Sequence, residues 1–297
     1  MKIGIAGTGR MGAAVALRLI DLKHEVSVWN RSTEKTVPLA DAGAKIALSP
    51  SQLASQSEIV VSFLSDANAV QETYVGEGGL LSGDVRGKLF IEMSTVRPEV
   101  QQKLSGFVRE KGAAHIECPV GGTVGPARDG KLFGFVGGEA TDVSRAMPIL
   151  EKLCRRVEYV GPIGSGAYMK LAINLPLLVY WQALGEALVL MKPLGLDPKR
   201  VVDILADTSG GPNMLKVRGA AIAKGLSGEE ITPITFDVDL IRKDLRTMIE
   251  EARSMGCGLP LTERALECFD EAARDGIGGK DAVALPVHFL ANAKSNL

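Results

Sequence analysis

The sequence has few of the residues that build disulfide frameworks and zinc sites. Its 297 residues include three histidines and four cysteines, and the cysteines (Cys118, Cys154, Cys257 and Cys268) show no Cys-x-x-Cys spacing. A disulfide scaffold or a zinc site needs paired or clustered ligands. We therefore expect reduced thiols, a cytoplasmic location and no bound metal.

The chain also lacks an excess of charge of either sign. It carries 34 Lys and Arg against 35 Asp and Glu, which gives a formal net charge of -1. Proteins that bind nucleic acid or anionic membranes through charge alone need a clear basic excess. We expect a small-molecule ligand, with no nucleic-acid and no membrane partner.

Long uninterrupted apolar runs are missing too. The most apolar region, 171–191, is broken by Asn174, Pro176, Gln182 and Glu186, and such polar groups are costly in lipid. The N-terminal stretch MKIGIAGTGRMG does not have the apolar core of a signal peptide. We interpret 171–191 as a buried helix of a soluble protein that is not exported.

The first half of the sequence alternates short apolar runs with helical patterns. The runs are KIGIA (2–6), EVSVW (25–29), EIVVSFL (58–64), KLFIEM (88–93), AAHIEC (113–118), LFGFVG (132–137) and RVEYVG (156–161). Continuous apolar runs are typical of strands in a parallel sheet covered on both faces. Segments between them, such as MGAAVALRLIDL, have the i, i+3, i+4 spacing of helices. The pattern predicts a doubly wound α/β sheet.

After Gly161 the short runs stop and long helical patterns begin. Helices are predicted from Gly166 to about Leu194, from Asp197 to Ala206 and from Pro233 to Met255, with GLSGEEITPITF (225–236) as an interhelical loop. A chain of this length favours two domains. We predict an α/β domain over 1–163 and an all-α domain over 164–297.

Three glycines follow the first predicted strand in the pattern GxGxxG, as Gly7, Gly9 and Gly12. Such a loop lets a pyrophosphate approach the N-terminus of the next helix, whose N–H groups and dipole favour anions. Glycines also serve turns in sheets that bind nothing, and methyltransferases use similar loops. The strand before the loop and the helix after it favour a Rossmann dinucleotide site, in which Arg10 and Met11 also contact the cofactor.

The end of the second predicted strand indicates which dinucleotide binds. NAD enzymes usually place Asp or Glu there for the ribose 2′-hydroxyl, but this strand ends in Asn30, Arg31 and Ser32, with Lys35 following. A guanidinium binds a 2′-phosphate, and a carboxylate would repel it. We predict NADP(H) rather than NAD(H); the alternative is that Arg31 is only a solvated loop charge.

One lysine and one asparagine interrupt the apolar stretch GSGAYMKLAINLPLLVYW. Lys170 and Asn174 are four residues apart, which places them on one face of a helix. Buried lysines usually have a partner or a task. The alternative is a lysine that extends along a core helix to reach water.

Four motifs occur in the order of a known family. They are GTGRMG at 7–12, PVGGTVGPARDGKL at 119–132, GSGAYMKLAIN at 164–174 and KDL at 243–245, and a Ser-Thr pair follows the fourth predicted strand at 94–95. The chain resembles the β-hydroxyacid dehydrogenases, the family of 3-hydroxyisobutyrate dehydrogenase and glyoxylate/succinic semialdehyde reductases, which is related to 6-phosphogluconate dehydrogenase. The resemblance covers nearly the full length.

The resemblance implies a role for individual residues. Lys170 is the implied catalytic acid/base and Asn174 orients the substrate. The implied substrate-binding residues are Gly121, Gly122, Thr123 and Thr95. The implied cofactor-binding residues, beyond those in the glycine loop and at the second strand end, are Leu64, Thr95 and Lys243. The reaction is hydride transfer between NADP(H) and a small aldehyde, keto acid or β-hydroxyacid, in a homodimer or homotetramer.

The chain departs from the family pattern at one substrate position. The family commonly has serine in PVSGG, where this chain has Gly121, and Thr123 offers a hydroxyl two residues on. Unlike 6-phosphogluconate dehydrogenases, it has Ile173 and not histidine before Asn174. Imine reductases typically lack the lysine, which favours carbonyl chemistry. The alternatives are an imine reductase-like activity or a non-catalytic cofactor-binding scaffold.

Two residues just before the motif at 119–132 could be mistaken for catalytic groups. Cys118 precedes Pro119 at a predicted strand end, and His115 lies in the same strand. No motif places a histidine to activate the thiol, and free cysteines are commonly small buried hydrophobes. We interpret both as structural. In RKDLRTMIEEAR the alternating charges are typical of a solvated face, and only Lys243 is singled out.

Overall fold

The computed structural model describes residues 1–292. These residues form two compact units, Met1–Leu171 and Ala172 onward. The first unit contains nine strands: β1 (Lys2–Ala6), β2 (Glu25–Trp29), β3 (Lys45–Ile46), β4 (Ile59–Ser62), β5 (Leu89–Glu92), β6 (Ala114–Glu117), β7 (Val120–Gly121), β8 (Leu132–Gly138) and β9 (Cys154–Gly161). Its helices are α1 (Arg10–Asp21), α2 (Val37–Asp41), α3 (Pro50–Gln56), α4 (Ala67–Val75), α5 (Pro98–Glu110), α6 (Val124–Asp129) and α7 (Ala140–Leu153).

Alternate residues of the central strands bury opposite faces of this sheet. Ile3 and Ile5 of β1 lie in one apolar core, while Phe90 of β5 lies in a second core. Helices α1 and α7 cover the first core, and α3, α4 and α5 cover the second. Both faces of the sheet are therefore covered by helices, which explains why the strand sequences are continuous apolar runs.

The strands are ordered β3-β2-β1-β4-β5-β6-β8-β7, with β9 also paired to β8. The chain order reverses between β1 and β4, and ligands of open α/β sheets bind at the carboxyl ends of strands beside such a switch point. The segments that follow β1 and β4 contain Gly7 and Leu64. The fold thus places two predicted cofactor positions at this point.

The doubly wound sheet was predicted correctly, but the interpretation of every apolar run as a strand of a parallel sheet was wrong for β8. Strand β8 runs antiparallel to β6 and to β7, and parallel to β9. Apolar composition reports burial but carries no information on strand direction. The two-residue strands β3 and β7 were not predicted, because they are too short to show a pattern.

The second unit is helical over its described residues. Helix α8 (Ser165–Met191) runs from the first unit into the second, which then contains α9 (Pro198–Ala206), α10 (Asn213–Leu226), α11 (Val238–Ser254), α12 (Pro260–Ala272) and α13 (Ala284–Asn292). The fold class, an α/β domain followed by a helical one, is confirmed. The predicted boundary between 163 and 164 stays a prediction.

One predicted helix start was wrong. The helix expected from Pro233 begins at Val238, because Asp237 caps it by accepting the N–H of Leu240 at 2.8 Å. Helices α10, α12 and α13 were not predicted. The helix expected to end near Leu194 ends at Met191 and continues as a 3₁₀ turn.

Within residues 1–292, one helical segment is long and apolar enough to cross a membrane. It spans Ser165–Leu194, and 44% of its most apolar window is buried. The same length and hydropathy occur in core helices of folded proteins. The interpretation of 171–191 as a buried helix is correct for residues such as Leu178 and Leu184 and wrong for Ile173 and Leu190, which are exposed.

Candidate active site

The loop after β1 can only be built with glycine at two of its three motif positions. Gly7 has φ +90°, and a Cβ there would lie 2.1 Å from the carbonyl oxygen of Phe63. A Cβ on Gly12 would lie 2.0 Å from the carbonyl oxygen of Gly7. These two glycines close the turn against the neighbouring strand end.

Gly9 has a different environment. It is exposed, its backbone is extended at φ -65° and ψ -173°, and a Cβ there would meet no atom within 4 Å. Gly9 immediately precedes α1, whose first turn offers the backbone N–H groups of Arg10, Met11 and Gly12. The open space at Gly9 fits a pyrophosphate that must approach the backbone closely.

Alanine substitutions should separate these two functions. Gly12→Ala forces a backbone clash and is expected to lower stability by roughly 1–3 kcal/mol, as overpacking does. Gly9→Ala is expected to leave stability within about 0.5 kcal/mol of wild type while weakening NADPH binding roughly tenfold or more, because its methyl fills the phosphate cradle. Thermal unfolding and NADPH fluorescence titration measure the two effects. A Gly9→Ala variant that binds NADPH like wild type would contradict this assignment.

The end of β2 supports the glycine loop. Oδ1 of Asn30 accepts the Thr8 N–H at 2.9 Å, and Nδ2 of Asn30 donates to the carbonyl of Ser32 at 3.0 Å. Asn30 was predicted to contact the cofactor; its carboxamide also binds backbone at both ends, and the contact with the cofactor stays a prediction. Arg31 and Lys35 are exposed beside it. Arg31 and Lys35 supply the positive charge at this strand end.

A buried carboxylate organises the ends of β4 and β5. Glu92 accepts the Ser62 hydroxyl at 2.6 Å and the Ser94 N–H at 2.7 Å. The Ser94 hydroxyl in turn accepts the Leu64 N–H at 2.7 Å. Burial raises the pKa of Glu92. This network fixes the segments that contain Leu64 and Thr95, and the half-buried Thr95 follows it directly.

The predicted substrate loop lies between β7 and α6. Gly121 ends β7, and Gly122 has φ +128°, with a Cβ position 2.9 Å from Leu132 Cδ2. Thr123 is exposed and precedes α6 without a capping bond from its side chain. The hydroxyl of this loop therefore lies at Thr123 and is not used to cap α6.

Lys170 lies on the second turn of α8 and is half-buried. The first turn of this helix is held by Glu117, the last residue of β6. Its carboxylate accepts the N–H groups of Gly164, of Gly166 at 3.0 Å and of Ala167 at 3.1 Å. Sequence reasoning missed Glu117, although an acid at the end of an apolar strand was a visible signal.

Within the second unit, Asn174 is buried and its position is fixed by Asp244. Nδ2 of Asn174 donates to Oδ2 of Asp244 at 3.3 Å, and the Lys243 ammonium lies 2.6 Å from the other carboxylate oxygen. Asp244 is only 3% exposed. The KDL motif thus joins two predicted site residues, Asn174 and Lys243, through an aspartate that sequence reasoning did not single out.

Cys118 and His115 are core residues, as predicted. Burial raises the pKa of the Cys118 thiol well above its usual value and lowers the pKa of His115 to about 3. Both side chains are therefore neutral near pH 7. Over residues 1–292, no group of three or more His, Cys, Asp or Glu side chains could hold a metal ion.

Comparison with known proteins extends over both units. Residues 2–161 match the NAD binding domain of 6-phosphogluconate dehydrogenase, and residues 164–288 match the NAD-binding domain of NADP-dependent 3-hydroxyisobutyrate dehydrogenase. Glyoxylate/succinic semialdehyde reductase 1 of Arabidopsis thaliana is 30% identical over 96% of this chain and 97% of that protein.

Two further relatives have similar coverage. A 3-hydroxyisobutyrate dehydrogenase of Pseudomonas aeruginosa is 31% identical over 90% of each chain. The solved structure of Psf3 in complex with NADP+ and 2-OPP is 28% identical, with a TM-score of 0.84 over 98% of this chain and 100% of that one. The similarity therefore covers both the nucleotide-binding and the helical unit.

Proposed function

The chain belongs to the β-hydroxyacid dehydrogenase family of NAD(P)-dependent oxidoreductases, and we propose that it reduces a small aldehyde or keto acid with NADPH, using Lys170 as the proton donor. The observation that carries this proposal is Lys170 itself. It is a half-buried cation on a predominantly apolar helix, and the first turn of that helix is fixed by a buried carboxylate.

The preference for NADP(H) is supported by the end of β2. Asn30 and not an acid stands directly after this strand, where NAD enzymes usually bind the ribose hydroxyl, and Arg31 and Lys35 are exposed there. The cradle at Gly9, which a Cβ would fill, fits the pyrophosphate. Bound here, the nicotinamide cofactor supplies the hydride. The NADP+ in the complex of the related protein Psf3 agrees with this choice.

The protein's own contribution is to hold the carbonyl and deliver a proton. Reduction of a carbonyl leaves negative charge on its oxygen, and the Lys170 ammonium stabilises that charge and donates the proton. Asn174, held by Asp244, orients the substrate through its carboxamide. Gly121, Gly122 and Thr123 receive the acidic end of the substrate, where the Thr123 hydroxyl takes the place of the family serine.

The test is a screen for NADPH oxidation with glyoxylate, succinic semialdehyde, methylglyoxal and cyclic imines. We expect turnover with at least one of the carbonyl compounds and little with the imines. Turnover of imines alone would favour an imine reductase. NADPH binding without turnover of any compound would indicate a cofactor-binding scaffold.

The assembly and the location of the protein are part of the same proposal. A homodimer or homotetramer formed through the helical unit is the assembly that membership of this family implies. The reduced thiols favour a cytoplasmic location. Light scattering of the purified protein measures the assembly.

A further inference from the structure

Two glycines make room for the carboxylate of Glu117. A Cβ on Gly137 of β8 would lie 2.3 Å from Glu117 Oε1. A Cβ on Gly166 would lie 2.5 Å from the carbonyl oxygen of Phe135 and 3.2 Å from Glu117 Cδ. Gly166, one of the glycines before Lys170, is therefore required for packing and not for cofactor binding. It leaves room at the start of α8 for the side chain of Glu117.

The carboxylate uses this space to bind the start of the helix. Three backbone N–H groups, of Gly164, Gly166 and Ala167, point to its two oxygens. The N–H of the remaining residue in this segment, Ser165, donates to the carbonyl of Pro162 at 3.0 Å. An anion at a helix N-terminus is also favoured by the helix dipole. Glu117 therefore ties β6 to the helix one turn before Lys170.

The surroundings of Glu117 act on its charge in both directions. Glu92 lies opposite it in the register of β5 and β6, and Cys118 follows it in the chain. From the other elements, β8 presents Gly137, α5 presents the neutral Gln102 beside Gly164, and α8 carries Lys170 three residues after Ala167. Burial raises the pKa of Glu117 to about 7, with Glu92 adding to the rise and the three N–H groups opposing it.

We propose that Glu117 is a positioning residue for Lys170: its ionised carboxylate fixes the first turn of α8, and the reaction requires it in that state. The kinetic part of this inference rests on the proposed function. Protonation places an O–H among backbone donors, so that fewer of the three N–H groups keep an acceptor. The first turn then loosens, and the Lys170 ammonium is no longer held in one place.

The kinetic test compares Glu117→Gln and Glu117→Asp with wild type between pH 5.5 and 9, a range that spans a pKa of about 7. Wild-type kcat is expected to fall as the pH drops below about 7. Glu117→Gln should lower kcat at pH 8 about ten- to hundredfold, as misplacement of a catalytic group does. It should also abolish the acid limb, with the KM for NADPH within about twofold of wild type.

Glu117→Asp keeps the charge on a shorter side chain, so it should recover part of kcat and retain an acid limb. The matched control is Asp142→Asn, which removes another mostly buried carboxylate of the same unit; Asp142 contacts Arg109 and not α8. This control should leave the pH profile unchanged. Glu117→Gln with wild-type kcat and a wild-type acid limb would overturn the proposal.

Amide hydrogen exchange tests the structural part without any turnover. At a fixed pH of 8, a peptide covering 162–172 should exchange faster in Glu117→Gln than in wild type, and the difference should shrink at pH 6. Equal exchange at both pH values would overturn the proposal. If that difference is present but wild type reduces no carbonyl, the proposed function fails and the role of Glu117 in fixing the helix stands. If Glu117→Gln does not fold, Glu117→Asp and the wild-type exchange at the two pH values decide.

Discussion

Replacing Lys170 by alanine is expected to lower kcat by about 10²–10⁴-fold, the usual contribution of a general acid. The alkoxide that forms during carbonyl reduction would then have neither the ammonium charge nor its proton. NADPH binding should persist, because the glycine loop and the end of β2 remain intact. Steady-state kinetics and NADPH fluorescence titration measure the two quantities separately.

Two further variants sharpen this test. Lys170→Arg keeps the charge, but a guanidinium does not release its proton in proteins, so activity should stay low. Lys152→Ala removes an exposed lysine of the same unit and should behave like wild type. Near-wild-type turnover in Lys170→Ala would show that another group delivers the proton.

The wild-type protein is expected to prefer NADPH over NADH by roughly ten- to hundredfold, since a charge-assisted contact between Arg31 and the 2′-phosphate contributes about 1.5–3 kcal/mol. Arg31→Ala should remove most of this preference. The double variant Asn30→Asp with Arg31→Ala should prefer NADH, because it supplies the carboxylate that the ribose hydroxyl binds. The ratio of kcat/KM for the two cofactors is the measurement.

The hydrogen bonds of Asn30 determine how well aspartate can replace it. Aspartate at this position can still accept the Thr8 N–H, so the glycine loop keeps its support, whereas the bond to the Ser32 carbonyl is lost. Lys45→Ala serves as the control for loss of a positive charge and should keep the wild-type preference, since Lys45 is exposed on β3 and has no assigned role in the cofactor site. A wild-type protein that uses NADH more efficiently would show that Arg31 does not contact the cofactor.

The buried strands and the glycine loop were predictable because their signals are local. KIGIA and EVSVW form strands over the residues predicted, and the GxGxxG pattern lies between a strand and a helix. The direction of β8 was not predictable, because antiparallel and parallel neighbours bury the same apolar residues. Helix α11 starts at Val238, and its cap Asp237 was a readable signal that the predicted start at Pro233 ignored.

The candidate site was predictable only for residues with an obvious chemical role. Lys170 and Asn174 are conspicuous because they interrupt an apolar stretch. Glu117 and Asp244 act on other parts of the site from 50 and 70 residues away along the chain. Nothing in local spacing connects such pairs, so only the folded structure shows which acid supports which helix.

The clearance around Glu117 makes the effect of one substitution depend on another. A methyl group at Gly137 meets the Glu117 carboxylate at 2.3 Å, so it is harmful while that carboxylate is present. If residue 117 is shortened beforehand, the contact with the carboxylate is gone and only the carbonyl oxygen of Pro162, 2.9 Å from the Cβ position, still crowds the methyl group, which then costs less. The effects of substitutions on stability are not additive for two residues in contact. Changes at these two positions therefore have a preferred order, because replacing the acid first lowers the cost of replacing the glycine.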